Sequence, residues 1–176
     1  MVRTLLFAGL GLVLATGQAL AAELVIPVNA IDANGVGAGI GTVTVKDTKG
    51  GLMVMPKLSG LTPGPHGFHV HENPSCQPKE QDGKMVPGLA AGGHYDPVKA
   101  AKHEGPWGHG HLGDLPALAV NGDGTATDAM TAPKLKVSDL KGRAVIVHAG
   151  ADNYADQPKP LGGGGGRVAC GVVPAK

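Results

Sequence analysis

The chain of 176 residues is long enough for one domain, and a composition that is 42% hydrophobic but only 3% aromatic predicts a core of aliphatic side chains. Its 30 glycines and 14 prolines lack the period of a collagen and predict a loop-rich all-β domain with many turns. The formal net charge of +1 gives no indication of a nucleic-acid or membrane partner.

The first 22 residues have the features of a secretory signal peptide. Arg3 precedes an apolar run at 5–14, and Ala19-Leu20-Ala21 fits the small-x-small pattern of a cleavage site. A membrane anchor is the alternative, but the apolar run is shorter than the roughly 18 residues that span a bilayer. We therefore expect cleavage after Ala21 or Ala22, which leaves a mature domain at 23–176 with 14 basic and 14 acidic residues.

Short apolar segments between turn signals predict a series of β-strands in the mature domain. In chain order they lie at 24–31, 40–45, 52–58, 68–71, 115–120, 125–130, 143–148 and 168–173. The turn Asn121-Gly122-Asp123-Gly124 between two of them predicts a β-hairpin. Many short strands without helical periodicity indicate a sandwich or a barrel. Two segments, 72–114 and 149–166, are long for simple connections, which indicates that these loops carry the function.

Two cysteines, Cys76 and Cys170, are present. In an exported chain, two cysteines most simply form one disulfide. Closing so long a loop contributes about 4 to 5 kcal/mol to stability in the chain-entropy treatment. The alternative is a pair of metal-binding thiolates, but the separation of the two residues fits no short zinc-ligand spacing.

The histidines fall into groups whose spacing suits metal ions. His69 and His71 occupy positions i and i+2 of a predicted strand, so both imidazoles project from one face. His148 ends another predicted strand, and the first long loop adds a cluster consisting of His94, His103, His109, His111 and Asp114. Sites rich in imidazole and free of thiolate suit zinc, copper, iron or nickel. The residues alone therefore predict an exported β protein with two histidine-rich metal sites, without choosing the ions.

Several segments resemble the signatures of the copper/zinc superoxide dismutase family. Residues 67–72 read GFHVHE and are similar to the copper-ligand signature of the family. Residues 162–173 read GGGGGRVACGVV and resemble the signature that joins the active-site arginine to the disulfide cysteine. Between them, HYDP at 94–97, KHEGP at 102–106 and GHLGDL at 110–115 are similar to the family's zinc loop. The resemblance runs from about residue 24 to residue 173, which is nearly all of the mature domain.

The resemblance implies an eight-stranded Greek-key β-barrel or sandwich whose two long loops cover the metal site. It implies a copper site formed by His69, His71, His94 and His148, and a zinc site formed by His94, His103, His111 and Asp114. His94 would bridge the two ions as a deprotonated imidazole. Arg167 would guide the anionic substrate, and Asp152 would link a copper-ligand histidine to a zinc-ligand histidine.

The activity that the resemblance implies is the conversion of superoxide into oxygen and hydrogen peroxide in the periplasm, with Cu and Zn as cofactors. Zinc would keep its charge and hold the loop, while copper would change redox state. We expect a homodimer, and a monomer remains the alternative. Two other functions fit the metal ligands: an exported metal carrier and a zinc hydrolase. A carrier has no use for the anion guide Arg167, and a filled zinc site leaves a hydrolase no open position.

Some residues near the motifs are expected to have other roles. The resemblance implies a packing role for His66, and we expect His109 to lie in solvent. Trp107 is expected to pack the zinc loop or to contact another subunit. Lys79 and Lys84 are candidates for guiding superoxide, with a contribution to solubility as the alternative role.

Overall fold

The computed structural model describes residues 23–176, so the predicted signal peptide at 1–22 lies outside the described residues. The strands are β1 (Glu23–Asp32), β2 (Gly35–Thr48), β3 (Gly51–Leu58), β4 (Gly64–His66), β5 (Phe68–His71), β6 (Lys79–Gln81), β7 (Lys84–Val86), β8 (Leu118–Val120), β9 (Met130–Ala132), β10 (Arg143–His148) and β11 (Arg167–Val173). One α-helical turn, α1 (Val137–Leu140), and two 3-10 turns, Leu89–Ala91 and Leu161–Gly163, complete the secondary structure of the described chain.

Seven strands form one curled antiparallel sheet in the order β5–β10–β11–β1–β2–β3–β9. Two further pairs, β4–β8 and β6–β7, form separate two-stranded ribbons. The alternation predicted for β2 is present, because Val43 and Val45 are buried while Thr44 between them is only half-buried. The predicted all-β barrel fold is confirmed.

The main core is aliphatic, as the composition predicts. Alternate residues of the strands point inward, among them Ile26 of β1, Val43 of β2 and Leu52 of β3, and Phe68 is the largest side chain that is fully buried. Each of these residues contributes about 1.5 to 3 kcal/mol when its side chain leaves water. The shortage of aromatic residues is therefore met by many aliphatic contacts.

Strand β10 is buried on both faces, and the cluster on its outer face contains the disulfide that holds the first long loop. Val145 and Val147 point into the main core, whereas Ala144 and Ile146 point outward into a second, smaller cluster. That second cluster contains both cysteines of the disulfide Cys76–Cys170, whose Cα atoms are 5.7 Å apart. The predicted disulfide is confirmed, and it fastens the first long loop across the outside of the barrel.

The predicted hairpin around 121–124 is wrong. The turn itself is present, since the amide of Asn121 donates to the carbonyl of Thr125 at 2.7 Å. The flanking strands do not pair with each other, because β8 pairs with β4 and β9 pairs with β3. Ala126 forms a bridge with Leu58 directly after the turn, so the chain crosses to a different strand of the barrel. A local turn signal therefore does not reveal which strands become neighbours.

Among residues 23–176, no helix has both the length and the apolar character needed to cross a membrane.

Candidate metal centre

Three of the predicted copper ligands lie on the outer face of two adjacent strands. His69 and His71 alternate along β5 with Phe68 and Val70, whose side chains belong to the core. His71 pairs with Ala144 and His69 with Ile146 across the ladder, and His148 ends β10. All three imidazoles are buried, with exposures of 0%, 0% and 6%. The pairing of β5 with β10 brings His69 and His71 together, and the amide of His148 donates to the carbonyl of Gly67 just before β5.

Hydrogen bonds fix which ring nitrogen of each strand histidine is free. Nδ1 of His71 donates to the carbonyl of Gly92 at 3.0 Å, and Nδ1 of His148 donates to that of Gly165 at 3.1 Å. Each neutral ring has one donor and one acceptor nitrogen, so both Nε2 atoms carry lone pairs. These two Nε2 atoms lie 3.3 Å apart. Two facing lone pairs are suited to a shared cation.

The predicted zinc loop, residues 94–114, is attached to β5 by backbone pairing. The amide of Tyr95 donates to the carbonyl of Val70, and the amide of Val70 donates to that of Gly113, both at 2.8 Å. A Cβ on Gly113 would lie 2.3 Å from the Val70 oxygen, so only glycine permits this approach. The pairing places His94 and Asp114 directly beside the strand histidines.

Asp114 is the centre of the loop-borne cluster. Its Oδ1 lies 2.9 Å from Nδ1 of His94 and 3.5 Å from Nδ1 of His111, and its Oδ2 lies 2.9 Å from Nδ1 of His103. Although burial opposes ionisation, the three histidines hold the pKa of Asp114 far below its usual range. The site therefore keeps a buried anionic oxygen among three imidazoles.

Asp152 of the second long loop (149–166) joins the two groups of histidines. One carboxylate oxygen accepts from Nε2 of His69 at 2.7 Å, and the other accepts from Nε2 of His103 at 2.8 Å. Despite burial, these bonds hold the pKa of Asp152 below its usual range. Both rings are thereby oriented with Nδ1 toward the centre of the cluster.

Within the described chain, four buried atoms of this cluster make no hydrogen bond of acceptable geometry, although two of them, His103 Nδ1 and Asp114 Oδ2, lie 2.9 Å apart: His69 Nδ1, His103 Nδ1, His111 Nδ1 and Asp114 Oδ2. Unpaired buried polar atoms are costly and rare. Imidazole nitrogens and a carboxylate oxygen are ligands of zinc and copper. The donor atoms therefore fit metal ions.

The pKa values of the strand histidines keep their rings neutral. Burial lowers the pKa of His69 to about 3 and that of His148 to about 4, and it lowers the pKa of His71 well below the usual value. For His103, burial is outweighed by the nearby Asp114 and Asp152 carboxylates, which raise its pKa to about 9. A metal ion bound to His103 must therefore displace a proton.

The potential ligand atoms form two groups, and within each group all the atoms lie within 4.8 Å of one another. One group consists of His69, His71, His94 and His148, and the other consists of His69, His94, His103 and Asp114. The first matches the predicted copper ligands. The second contains His69 where the prediction has His111, whose Nδ1 is 3.5 Å from Asp114. His94 belongs to both groups.

The comparisons with known proteins identify the family. The family model described as copper/zinc superoxide dismutase (SODC) matches residues 40–173. The Cu-Zn superoxide dismutase of Escherichia coli K12 is 56% identical over 165 residues, which covers 93% of this chain and 95% of the relative. The solved Cu/Zn superoxide dismutase from Brucella abortus aligns with a TM-score of 0.85 and 51% identity, covering 86% of this chain and 99% of that chain. The solved monomeric copper, zinc superoxide dismutase from Salmonella enterica aligns with a TM-score of 0.78 and 56% identity, with the same coverage. The chain belongs to the copper/zinc superoxide dismutase family.

As a copper/zinc superoxide dismutase, the protein is an oxidoreductase that converts superoxide into oxygen and hydrogen peroxide with copper and zinc as cofactors. The activity predicted from the sequence is confirmed. The alternatives of a metal carrier and a zinc hydrolase are set aside.

Arg167 of this superoxide dismutase lies next to the strand histidines. Its two terminal nitrogens donate to the carbonyls of Gly88 at 2.5 Å and Gly92 at 2.7 Å. The Gly92 oxygen also accepts from Nδ1 of His71. One carbonyl thus connects the arginine with a strand histidine.

The nearby residues agree with the roles expected for them. His66 is buried, and its ring nitrogens lie 2.6 Å from the carbonyl of His148 and 2.7 Å from that of Thr62. His109 is exposed. Trp107 is 62% exposed and packs edge-to-face on Tyr154 with 5.6 Å between ring centroids.

Sequence reasoning missed Tyr154 and Asp156, which touch the zinc loop from the second long loop. The amide of His103 donates to the Asp156 carboxylate at 3.0 Å, and the amide of Ala117 donates to the Tyr154 hydroxyl at 2.9 Å. No periodicity or motif marks either residue, because the contacts span 53 and 37 positions of the chain.

Proposed function

We propose that this superoxide dismutase binds copper through His69, His71, His94 and His148, and zinc through His94, His103, His111 and Asp114. The observation that carries the proposal is the orientation of the free nitrogens. His69, His71 and His148 each use one ring nitrogen on an oxygen of the protein, which leaves the other for a metal. Because the supporting oxygens are fixed, the free lone pairs converge before any ion binds.

His94 is the proposed bridge between the two ions. Its Nδ1 lies on the zinc side, 2.9 Å from Asp114, and its ring stacks on His69 with 3.9 Å between centroids. The opposite ring nitrogen is left for copper. Two neighbouring cations strongly favour the deprotonated ring, in which both nitrogens are acceptors.

His111, and not His69, is the proposed fourth zinc ligand. Nε2 of His69 donates a hydrogen bond to Asp152, so His69 can bind only one ion, through Nδ1. His69 stands on β5 beside His71, whose free nitrogen belongs to the copper group. Nδ1 of His111 is buried, has no hydrogen-bond partner in the described chain and lies 3.5 Å from Asp114. It can therefore supply the fourth ligand atom of the zinc site, beside His94, His103 and Asp114.

The reaction consumes two superoxide anions and two protons and yields one oxygen and one hydrogen peroxide. Copper, when bound, supplies a one-electron couple, and zinc supplies a fixed positive charge. Arg167 attracts and orients the anion, since its guanidinium is always charged and is held by Gly88 and Gly92. His94 would take up one proton on Nε2 in the half-reaction that releases oxygen and would return it in the half-reaction that releases peroxide, whose second proton comes from solvent. Asp152 keeps the rings of His69 and His103 in position throughout.

The ligand assignment is tested by metal analysis of the mature protein loaded with copper and zinc. We expect one copper and one zinc per chain, and a copper absorption spectrum that changes when zinc is removed, because the two ions share His94. His148→Ala is expected to lose copper and activity while it keeps zinc. Full activity in that variant, or a copper spectrum that ignores zinc removal, would refute the assignment.

We also propose that residues 1–22 direct export to the periplasm and are removed. The disulfide Cys76–Cys170 supports this location, since such bonds persist in oxidising compartments. N-terminal sequencing of protein from the periplasmic fraction is expected to begin at Ala22 or Glu23. A chain that retains Met1 would contradict the proposal.

We propose a homodimer as the assembly, with the 62% exposed Trp107 as a residue that a second subunit would cover. The Salmonella enterica relative is described as monomeric, so a monomer is the alternative assembly. Sedimentation velocity of the mature, metal-loaded protein decides between them. A single species of monomer mass at micromolar concentration would overturn the dimer.

A further inference from the structure

We infer that Tyr154 and Asp156 are positioning residues that latch the second long loop onto the zinc loop and thereby slow the loss of zinc. The inference rests on the proposed role of His103 as a zinc ligand. Neither residue contacts a proposed metal ligand atom, so each acts through the backbone or the neighbours of the ligands. We call these two residues the zinc latch.

Asp156 holds the backbone of His103. Its Oδ2 accepts from the amide of His103 at 3.0 Å, and its Oδ1 accepts from the amide of Leu161 at 3.2 Å. Charge-assisted bonds of this type are stronger than neutral ones. Because Asp152 already holds the ring of the same histidine, the second loop fixes His103 at both its main chain and its side chain.

Tyr154 holds the loop on the far side of His103. A Cβ on Gly105 would lie 2.7 Å from Cδ1 of Tyr154, so the tyrosine ring lies directly against this glycine. Trp107 of the zinc loop stands at 86° to the ring, and the amide of Ala117, three residues beyond the end of the loop at Asp114, donates to the hydroxyl at 2.9 Å. Glycine at 105 is required by both this contact and its φ of +66°.

The backbone of the latch supports the same conclusion. Tyr154 has a φ of 57°, in the left-handed region that non-glycine residues rarely adopt. Such a conformation persists where the surrounding contacts fix it. Gly162 closes the tip of the loop, since its amide donates to Ala155 and its carbonyl accepts from Asn153, both at 3.0 Å. The latch residues are therefore presented by a closed turn.

The side-chain hydrogen bonds of Asn153 provide a matched control in the same loop. Its side chain accepts from the amide of Ala155 at 3.0 Å and donates to the carbonyl of Gln157 at 2.8 Å. Both bonds stay within the second loop. Asn153→Ala thus loosens the loop without removing a contact to the zinc loop.

The test measures zinc release from the mature copper- and zinc-loaded protein into excess 4-(2-pyridylazo)resorcinol, with copper release into a copper-selective chelator followed in parallel. Tyr154→Leu and Asp156→Ala are expected to release zinc at least about 10-fold faster than the parent protein, as is typical when a ligand loses its support. Tyr154→Phe, which removes one hydrogen bond, is expected to accelerate release about fivefold. Asn153→Ala is expected to stay within about twofold.

Each outcome decides the inference. Faster zinc release with unchanged copper release supports the latch, whereas equal acceleration of both metals shows that the residues merely stabilise the fold and overturns it. Zinc release at the parent rate in Tyr154→Phe and Asp156→Ala also overturns it, even if Tyr154→Leu does not fold. His103→Ala separates the two proposals: if it keeps zinc, the ligand assignment fails, and if it loses zinc while the latch variants do not, only the latch fails.

Discussion

The two halves of the metal centre are built in different ways. The strand half consists of His69, His71 and His148, which stand on adjacent strands and are aligned by the ladder between β5 and β10. The loop half consists of His103, His111 and Asp114, which belong to no strand and depend on contacts with the second loop. A β-ladder fixes side-chain direction through its period of two, whereas a loop must be fixed contact by contact.

The two halves therefore differ in how many contacts outside the barrel each one needs. The strand half is formed once the barrel folds, because its ligands share the register of core residues such as Val70 and Val145. The loop half needs backbone bonds to β5, the Asp152 carboxylate and the zinc latch in addition. The strand half is therefore the more robust of the two, and the loop half is the one that metal binding stabilises most.

The largest expected effect comes from removing one strand ligand. His71→Ala takes away a nitrogen that Gly92 holds in place, and we expect the copper affinity to fall by more than about 100-fold, beyond what loss of a supporting group causes. The zinc content is expected to remain near that of the parent, because the loop half does not depend on His71. Metal analysis after dialysis measures both ions. Loss of zinc together with copper would show that the halves are not independent.

The two halves are expected to respond to pH in opposite directions in the metal-free, disulfide-intact protein. The pKa of His148 in the folded protein, about 4, lies below the ordinary 6.5. The contribution of His148 to the free energy of unfolding is therefore fully present above pH 6.5 and is lost as the pH falls toward 4, and this loss is at most about 3 kcal/mol. The folded pKa of His103, about 9, is raised, so its contribution is present below pH 6.5 and is lost as the pH rises through 9. The free energy of unfolding is therefore expected to be highest near pH 6.5.

Urea unfolding of the metal-free protein between pH 4 and pH 9 measures this profile. His103→Gln is expected to remove the alkaline decline and to leave the acidic one, while His148→Gln reduces the acidic decline only. A profile that rises steadily through pH 9 would contradict the opposite assignments of the two histidines.

A smaller effect is expected from Arg167→Ala, which separates catalysis from metal binding. Both halves keep their ligands, so copper and zinc contents stay at the parent values. The rate constant kcat/KM for superoxide is expected to fall by about 10-fold or more and to lose part of its salt dependence, since the guanidinium attracts the anion. Pulse radiolysis at several ionic strengths measures both quantities. An unchanged rate would remove Arg167 from the mechanism.

The smallest effect is expected from the exposed lysines of the β6–β7 ribbon. Lys79→Ala and Lys84→Ala are each expected to lower kcat/KM by about twofold at low salt, with no effect at high salt, because exposed charges are screened. The same assay applies. An effect that persists at high salt would place a lysine in direct contact with the substrate.

The sequence predicts the strand half better than the loop half, for physical reasons. His69 and His71 are readable because alternation along a strand is local, and β5 and β10 have the predicted bounds of 68–71 and 143–148. Cys76 and Cys170 are readable because an exported chain with two cysteines leaves one pairing. Clustering in the first long loop marked His103, His111 and Asp114 as candidate ligands together with His109, and only the family motifs selected them over His109.

What could not be predicted is long-range pairing. The β6–β7 ribbon and α1 are too short to produce a pattern, and the turn at 121–124 gives no information on the partners of β8 and β9. Asp156 resembles any exposed loop acid until the fold brings it to the amide of His103, 53 positions away. Such contacts follow from the closure of the barrel, which no local window of sequence contains.

The double burial of β10 has a consequence for hydrogen exchange. With Val145 and Val147 in the core and Ala144 and Ile146 under the disulfide cluster, no small opening exposes the amides of this strand. Their exchange with deuterium therefore requires global unfolding and reports the stability of the whole barrel. The amides at 102–111 are covered by loop contacts alone, so they exchange through local opening. The exchange rates of the two sets of amides thus report separately on global unfolding of the barrel and on local opening of the zinc loop.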